Sequence, residues 1–305
     1  MPITNYPQGV ASYGIPVLGG GSPYLMAPGG NVWFVSSLLG KDAAGGKQGM
    51  DPTYPFKSIS YAISKCRNNK GDNIIAMPGH VELITSGTSF VINKAGIWIL
   101  GTGIGRDRPQ LKLQTANTAT ISITANRVRL SNLYISAIDF AAIANPITPN
   151  AADFSMQDCD IELANATNQA VLGVLTTALC NRLRILRCRF FGTVNAGNTS
   201  AVRLVGAADD VDIADSSFYG AYSGAVGAIE NITVATTNVK IDNCRIDNRT
   251  AGSTKAISLL AGTTGFISNC RMQILSGTAP ITGAGISWAG GNYYAAAVGT
   301  AGTLI

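Results

Sequence analysis

The sequence predicts an all-β chain coiled as a parallel β-helix, with three short strands in each coil of about 26–29 residues. Three observations carry this expectation. First, a phrase recurs: "MQDCDIE" (156–162), "ILRCRFF" (185–191), "IDNCRID" (241–247) and "ISNCRMQ" (267–273) each place Cys directly after Asp, Arg or Asn. Aligned on that position, Leu133, Cys159, Cys188, Ser216, Cys244 and Cys270 are separated by 26, 29, 28, 28 and 26 residues. Second, an aliphatic column at Ile143, Val171, Val202, Ile229, Ile257 and Ile286 follows a similar period, with steps of 28, 31, 27, 28 and 29. Third, the units are rich in Ile, Val, Thr and Asn and lack helical apolar spacing, so they read as strands and turns.

The elements follow in chain order. Residues 1–50 are rich in Gly and Pro, with apolar residues at Tyr6, Val10, Tyr13, Ile15, Val17, Leu18 and Tyr24, and read as an extended arm for attachment or subunit contact. Ile59, Ala62, Ile63 and Cys66 fall at helical spacing, and Gly71 stops the pattern. Residues 56–68 are therefore expected to form a short amphipathic helix capping the open end of the stack. The stack itself is expected over 51–275, with "DNIIAMP" and "GIWILG" supplying its first strands.

Within each later coil the alternation slips by one residue at Asn132, Asp158, Arg187, Asp215, Asn243 and Asn269, which marks a bend. Asn and Asp tolerate the left-handed backbone, so this column reads as a tight turn; Arg187 is expected to need a different one. The column after it reads as core that favours a small, packable residue. Residues 276–305 end the chain as a last coil and an apolar tail, with Tyr293, Tyr294, Leu304 and Ile305 expected at a subunit interface.

Composition removes several classes. The net charge of +5 is spread without a basic block, so nucleic acid is not an expected partner. No run of 18 apolar residues predicts a membrane span, and residues 1–30 have neither Lys nor Arg nor an apolar signal core. The six cysteines show no C-x-x-C spacing and read as buried reduced thiols, although Cys159/Cys188 and Cys244/Cys270 fall on adjacent coils within disulfide reach. No metal or cofactor is expected.

Catalytic candidates are sparse. The densest acidic cluster, Asp209, Asp210, Asp212 and Asp215, coincides with turns, where Asp is at home. On the strand after the long loop, Ser122, Arg203, Glu230, Ser258 and Ser287 read as outward, with Arg203 and Glu230 as an exposed ion pair of little energetic weight and no aromatic row for sugars. His80, the only histidine, sits in a "PGH" turn and reads as structural. "GTGIGRDRP" (101–109) is glycine-rich, but no helix follows it to hold a phosphate.

The stretch "NVWFVSS…GMDPTYPFKSISYAISKC…NKGDNIIAMPGHVELI…AGIWILGTGIGRDRP" resembles the opening of pectate-lyase-like right-handed β-helix proteins, in the version common among tailed-bacteriophage virion proteins. "NYPQGVASYGIPVLG" also looks like the leader of such phage proteins. The Asn-Thr-Asp and Gly-His-Gly motifs of polygalacturonases are absent, as is the Asp and Arg/Lys set of calcium-dependent pectate lyases, so no catalytic residue carries over. The resemblance implies a right-handed coil and a virion component assembled in the host cytoplasm: a non-enzymatic, homotrimeric head decoration or head fibre, bound through its arm to the major capsid protein. The alternative is a tail fibre or tailspike that binds or cuts a host surface glycan.

Overall fold

The computed structural model describes residues 11–12, 15–16, 30–193, 198–206, 208–223, 226–276, 280–283, 285–288, 290–295 and 303–304. Three sheets, of ten, ten and eight strands, run along a common stack. Each coil gives one strand to each sheet, and successive coils pair in parallel, as at Leu130–Met156–Ile185–Ile213–Ile241–Ile267 in the first sheet. The second sheet stacks Ile135, Ile161, Phe190, Phe218, Ile246 and Met272; the third stacks Ile121, Ile147, Val174, Val202, Ile229, Ile257 and Ile281. All are buried. Each such side chain contributes roughly 1.5–3 kcal/mol by leaving water.

The bend column has one conformation throughout. Asn132, Asp158, Arg187, Asp215, Asn243 and Asn269 have φ between 49° and 55°. Arg187 thus makes the same left-handed turn as the others, contrary to expectation. Its guanidinium reaches the turn below and binds both carboxylate oxygens of Asp158, at 2.7 and 2.9 Å. The stack holds the backbone in place and the bidentate pair occupies the long side chain.

The column after the bend is buried at all six positions. Its chemistry is more specific than small and apolar. The thiols of Cys159, Cys188, Cys244 and Cys270 donate to the carbonyl two residues back, at 3.2–3.4 Å, and the Ser216 hydroxyl does the same to Ala214 at 2.8 Å. A short side chain with a donor therefore ties off the turn carbonyl. All six cysteines are free thiols.

Two positional expectations are corrected. In the third sheet Val202 pairs with Val174 and Ile257 with Ile281, so Ile143, Val171 and Ile286 are not in that inward row. Ile286–Trp288 lies in the first sheet, and Ser287 with it. The loops before these strands differ in length, so counting a period across them misplaces the strand. The first strand of the stack is Val32–Val35, which lies inside the segment read as arm and pairs in parallel with Asn73–Ala76.

The helix α1 spans Ile59–Lys65, shorter than the expected 56–68. Ser58 is its N-cap, accepting from the Tyr61 amide, and Cys66 is already extended. Its buried side chains Ile59, Ala62 and Ile63 join the core cluster and close the first coil. Of the arm and tail residues, Tyr6, Val10, Tyr13, Val17, Leu18, Tyr24 and Ile305 lie outside the described residues. Ile15–Pro16 pairs antiparallel with Ala11–Ser12, and Thr303–Leu304 with Tyr293–Tyr294.

Several aspartates lock neighbouring segments. Buried Asp72 accepts from the amides of Asn31 and Arg67, both at 2.7 Å, and from the Arg67 guanidinium at 2.8 Å. Burial alone would raise its pKa; the Arg67 guanidinium and the two amides outweigh it and hold the carboxyl below the usual range. The Arg182 guanidinium lowers Asp153, and the Ser268 hydroxyl, with Asn269 and Lys240, lowers Asp242. Carboxyls depressed on folding stabilise the protein above the unfolded aspartate value of ~3.9 and lose that contribution as pH falls through their lower native values. Denaturant midpoints should therefore be level from neutrality down to about pH 5 and drop below about pH 4. Asp72→Asn should flatten the drop; an unchanged profile would contradict the assignment.

Candidate functional site

Each member of the acidic cluster at 209–215 is already engaged. Asp209 accepts from Thr237 at 2.6 Å, Asp210 from Asn238 at 3.2 Å and Asp215 from Asn243 at 2.7 Å, while Asp212 faces Lys240 at 3.8 Å. These contacts staple one coil to the next and leave no carboxylate pair arranged around a common gap.

His80 and Glu82 are buried and belong to the helix cap. The Ser37 amide donates to Nδ1 of His80 at 2.9 Å, which places the ring proton on Nε2, facing Glu82 Oε2 at 3.2 Å. Glu82 also accepts from the amides of Ile59 and Ser60 at the start of α1. The dyad has no solvent face from which to reach a substrate.

On the third sheet, Arg203 Nε meets Glu230 Oε1 at 2.7 Å. This pair is not exposed as expected: the Glu230 side chain is fully buried, and its Oε2 has no hydrogen-bond partner among the described residues. Sequence reasoning placed both residues on the outside of the sheet, but nothing in the pattern signals that this carboxylate is covered.

The second sheet carries the groove that sequence reasoning missed. Its outer face has one row running Tyr134, Asp160, Arg189, Ser217, Arg245, Arg271, Tyr293 and a second running Glu162, Phe191, Tyr219, Asp247, Gln273. Aromatic side chains do therefore line an outer face, on a sheet other than the one searched. An open groove of about 560 Å³ lies over Arg245, Asp247, Arg271, Gln273 and Tyr293. A second, of about 340 Å³, shares Arg245 and Asp247 and continues past Tyr219 to Arg189. The lower part of the face is self-paired. Asp160 binds Arg108 at 2.8 Å and Arg189 at 3.1 Å, Arg189 lies 4.4 Å over Phe191, and Tyr134 donates to Glu162. Burial, and then Glu162, hold the Tyr134 phenol well above its usual range. Further up, Asp247 is spent on Arg249 at 2.7 Å. Among the described residues no group of His, Cys, Asp and Glu is arranged to hold a metal ion.

These features define a three-sheet parallel β-helix with a charged groove along one outer face. The fold is shared with solved structures. A "Rhamnogalacturonan lyase" aligns at TM-score 0.53 with 12% identity, over 80% of this chain and 68% of that one. The "GH136 lacto-N-biosidase from Eubacterium ramulus" aligns at TM-score 0.55 with 12% identity, over 87% of this chain and 56% of that one. "Geobacillus virus E2 - ORF18" aligns at a TM-score of only 0.35 with 12% identity, over 77% of this chain and 57% of that one, and carries no argument. No protein-family model matches the chain. No curated protein matches it either. At such identities the likeness extends to the fold alone.

Proposed function

We propose that this chain is a non-enzymatic structural component of a tailed-bacteriophage virion, a homotrimeric head decoration or head fibre held to the capsid through its N-terminal end. The carrying observation is where exposed apolar surface lies. Among the described residues the most exposed large apolar side chains are Ile104, Leu38 and Leu39, at 85%, 75% and 74%. The Ser37 amide bonds His80 and the Gly79 amide bonds the Asp107 carbonyl, which draws these segments around one turn in the first coils. Apolar surface gathered at one end of a rod suits docking onto a partner. The sequence resemblance to phage β-helix proteins supports the setting.

Immunogold labelling of the parent phage should decorate the heads, and the purified protein should have a mass near three times 31.6 kDa. The variant Leu38→Asp/Leu39→Asp/Ile104→Asp should fold and no longer join particles. Label confined to the tail tip would favour the second reading, a tail fibre or tailspike that binds or depolymerises a surface polysaccharide. That reading draws on the groove of the second sheet. A clean monomer at micromolar concentration would overturn the trimer.

A further inference from the structure

We infer that the corner where the third sheet turns into the first, over its later coils, is the surface through which copies of this chain pack side by side. This surface completes the homotrimer reading above, on which it rests. Four successive turns build it, at 176–181, 205–208, 232–236 and 259–264, and none contains a charged side chain. Their polarity is reversed. Thr176, Asn231, Thr236 and Thr263 are buried, while Leu179, Ile232 and Val234 are 63%, 46% and 42% exposed. The buried groups are used inside the stack: the Val205 amide donates to Thr176 Oγ1 at 2.9 Å, and the Asn231 amide group donates to Thr236 Oγ1 at 3.2 Å and Thr263 Oγ1 at 2.8 Å. Asn231 Oδ1 in turn accepts from the Leu260 amide. A turn normally keeps aliphatic side chains in and polar ones out, so repeated inversion marks an edge that faces something apolar. The same corner supplies its own control, because in the coils below it exposes Asn126, Arg127 and Asn150 instead.

The turns follow one another along the stack for about 14 Å by strand spacing, so the occupant has to be uncharged, elongated and matched to the coil repeat. A second copy of the chain has all three properties. Set parallel, two such ridges run alongside at the same spacing of ~4.8 Å and bring no like charges together. The flanks are polar, with Arg182 on Asp153 toward the first sheet and Arg203 on Glu230 toward the third, which gives an apolar centre and a charged rim. Copies closed around a common axis would each bury this edge. An anionic lipid surface fits less well, because Asp209 stands exposed beside the ridge. The Leu38, Leu39 and Ile104 patch is separate, since its segments follow strands of the first sheet and lie at a different corner.

The test is sedimentation equilibrium of the full-length protein at micromolar concentration. The wild type should have a mass near three times 31.6 kDa, and Leu179→Asp/Ile232→Asp/Val234→Asp should fall to that of one chain. The milder Leu179→Gln/Ile232→Gln/Val234→Gln should raise the concentration at which the trimer dissociates by at least about tenfold, since aliphatic burial is lost at three positions. It reads the same surface should the Asp variant fail to fold. Circular dichroism of the Gln variant should match the wild type, because all three side chains are exposed. Leu38→Asp/Leu39→Asp/Ile104→Asp, at the other patch, should remain trimeric. A monomeric wild type would overturn the trimer reading and this surface with it. A trimeric wild type whose ridge variants stay trimeric would overturn this surface alone, and failure of those variants to join particles would then assign the ridge to the capsid. Equal dissociation of the Leu38 variant would overturn it as well.

Discussion

Replacing Arg203 by Ala should destabilise the third sheet by about 3–5 kcal/mol, the cost of leaving a buried charge without its partner. Glu230 is fully covered, its Oε1 rests on Arg203 Nε at 2.7 Å, and its Oε2 already has no partner among the described residues. Removing the guanidinium strands the whole carboxylate. The double variant Arg203→Leu/Glu230→Leu should recover most of the loss, because a buried pair exchanged for apolar side chains is often neutral or better. Guanidinium denaturation with hydrogen exchange would check both, with the loss concentrated in strands Leu172–Leu175, Ser200–Leu204 and Ile229–Asn231. A single variant within about 0.5 kcal/mol of wild type would mean that the pair is solvated, as the sequence alone suggests.

Phe218→Ala should cost about 3–5 kcal/mol, the range for deleting a buried aromatic. Phe190 and Phe218 are both fully buried, with ring centroids 5.0 Å apart and planes within 12°. Each is an inward rung of the second sheet on adjacent coils, so the cavity would open between two layers of the stack. In a solenoid each coil is supported mainly by its neighbours, so denaturation should become broader as the rod divides at the weakened interface. Phe266→Ala is the comparison: that side chain is 36% exposed on the first sheet and should shift the midpoint little. Equal effects at the two positions would contradict the assignment of inward and outward rows.

The two surfaces of interest were legible to different degrees. The repeat marks Arg245 and Arg271, which directly follow the Cys column, but the groove they line was not read from it. What the sequence lacks is the pairing. That Arg189 has a carboxylate and Arg245 has none depends on which residues lie one coil below, and loops of unequal length separate them. The Arg203–Glu230 pair was misread because the alternation along its strand shows which face a side chain takes, not whether that face is covered.

By itself, the sequence determined the coil, the left-handed bend and the buried column that follows it. These are local consequences: alternation with a slip of one residue requires a bend at that residue, and short donor side chains can close onto a carbonyl two residues back. It also located the capping helix, whose ends at Ser58 and Cys66 were then fixed by a side-chain cap and a return to extended backbone. Only the tertiary structure decided the start of the stack at Val32, the register across the long loops, and the left-handed conformation of Arg187. Each of these depends on contacts between residues about a coil or more apart. Stacking sets those energies, and a pattern read along one strand does not contain them.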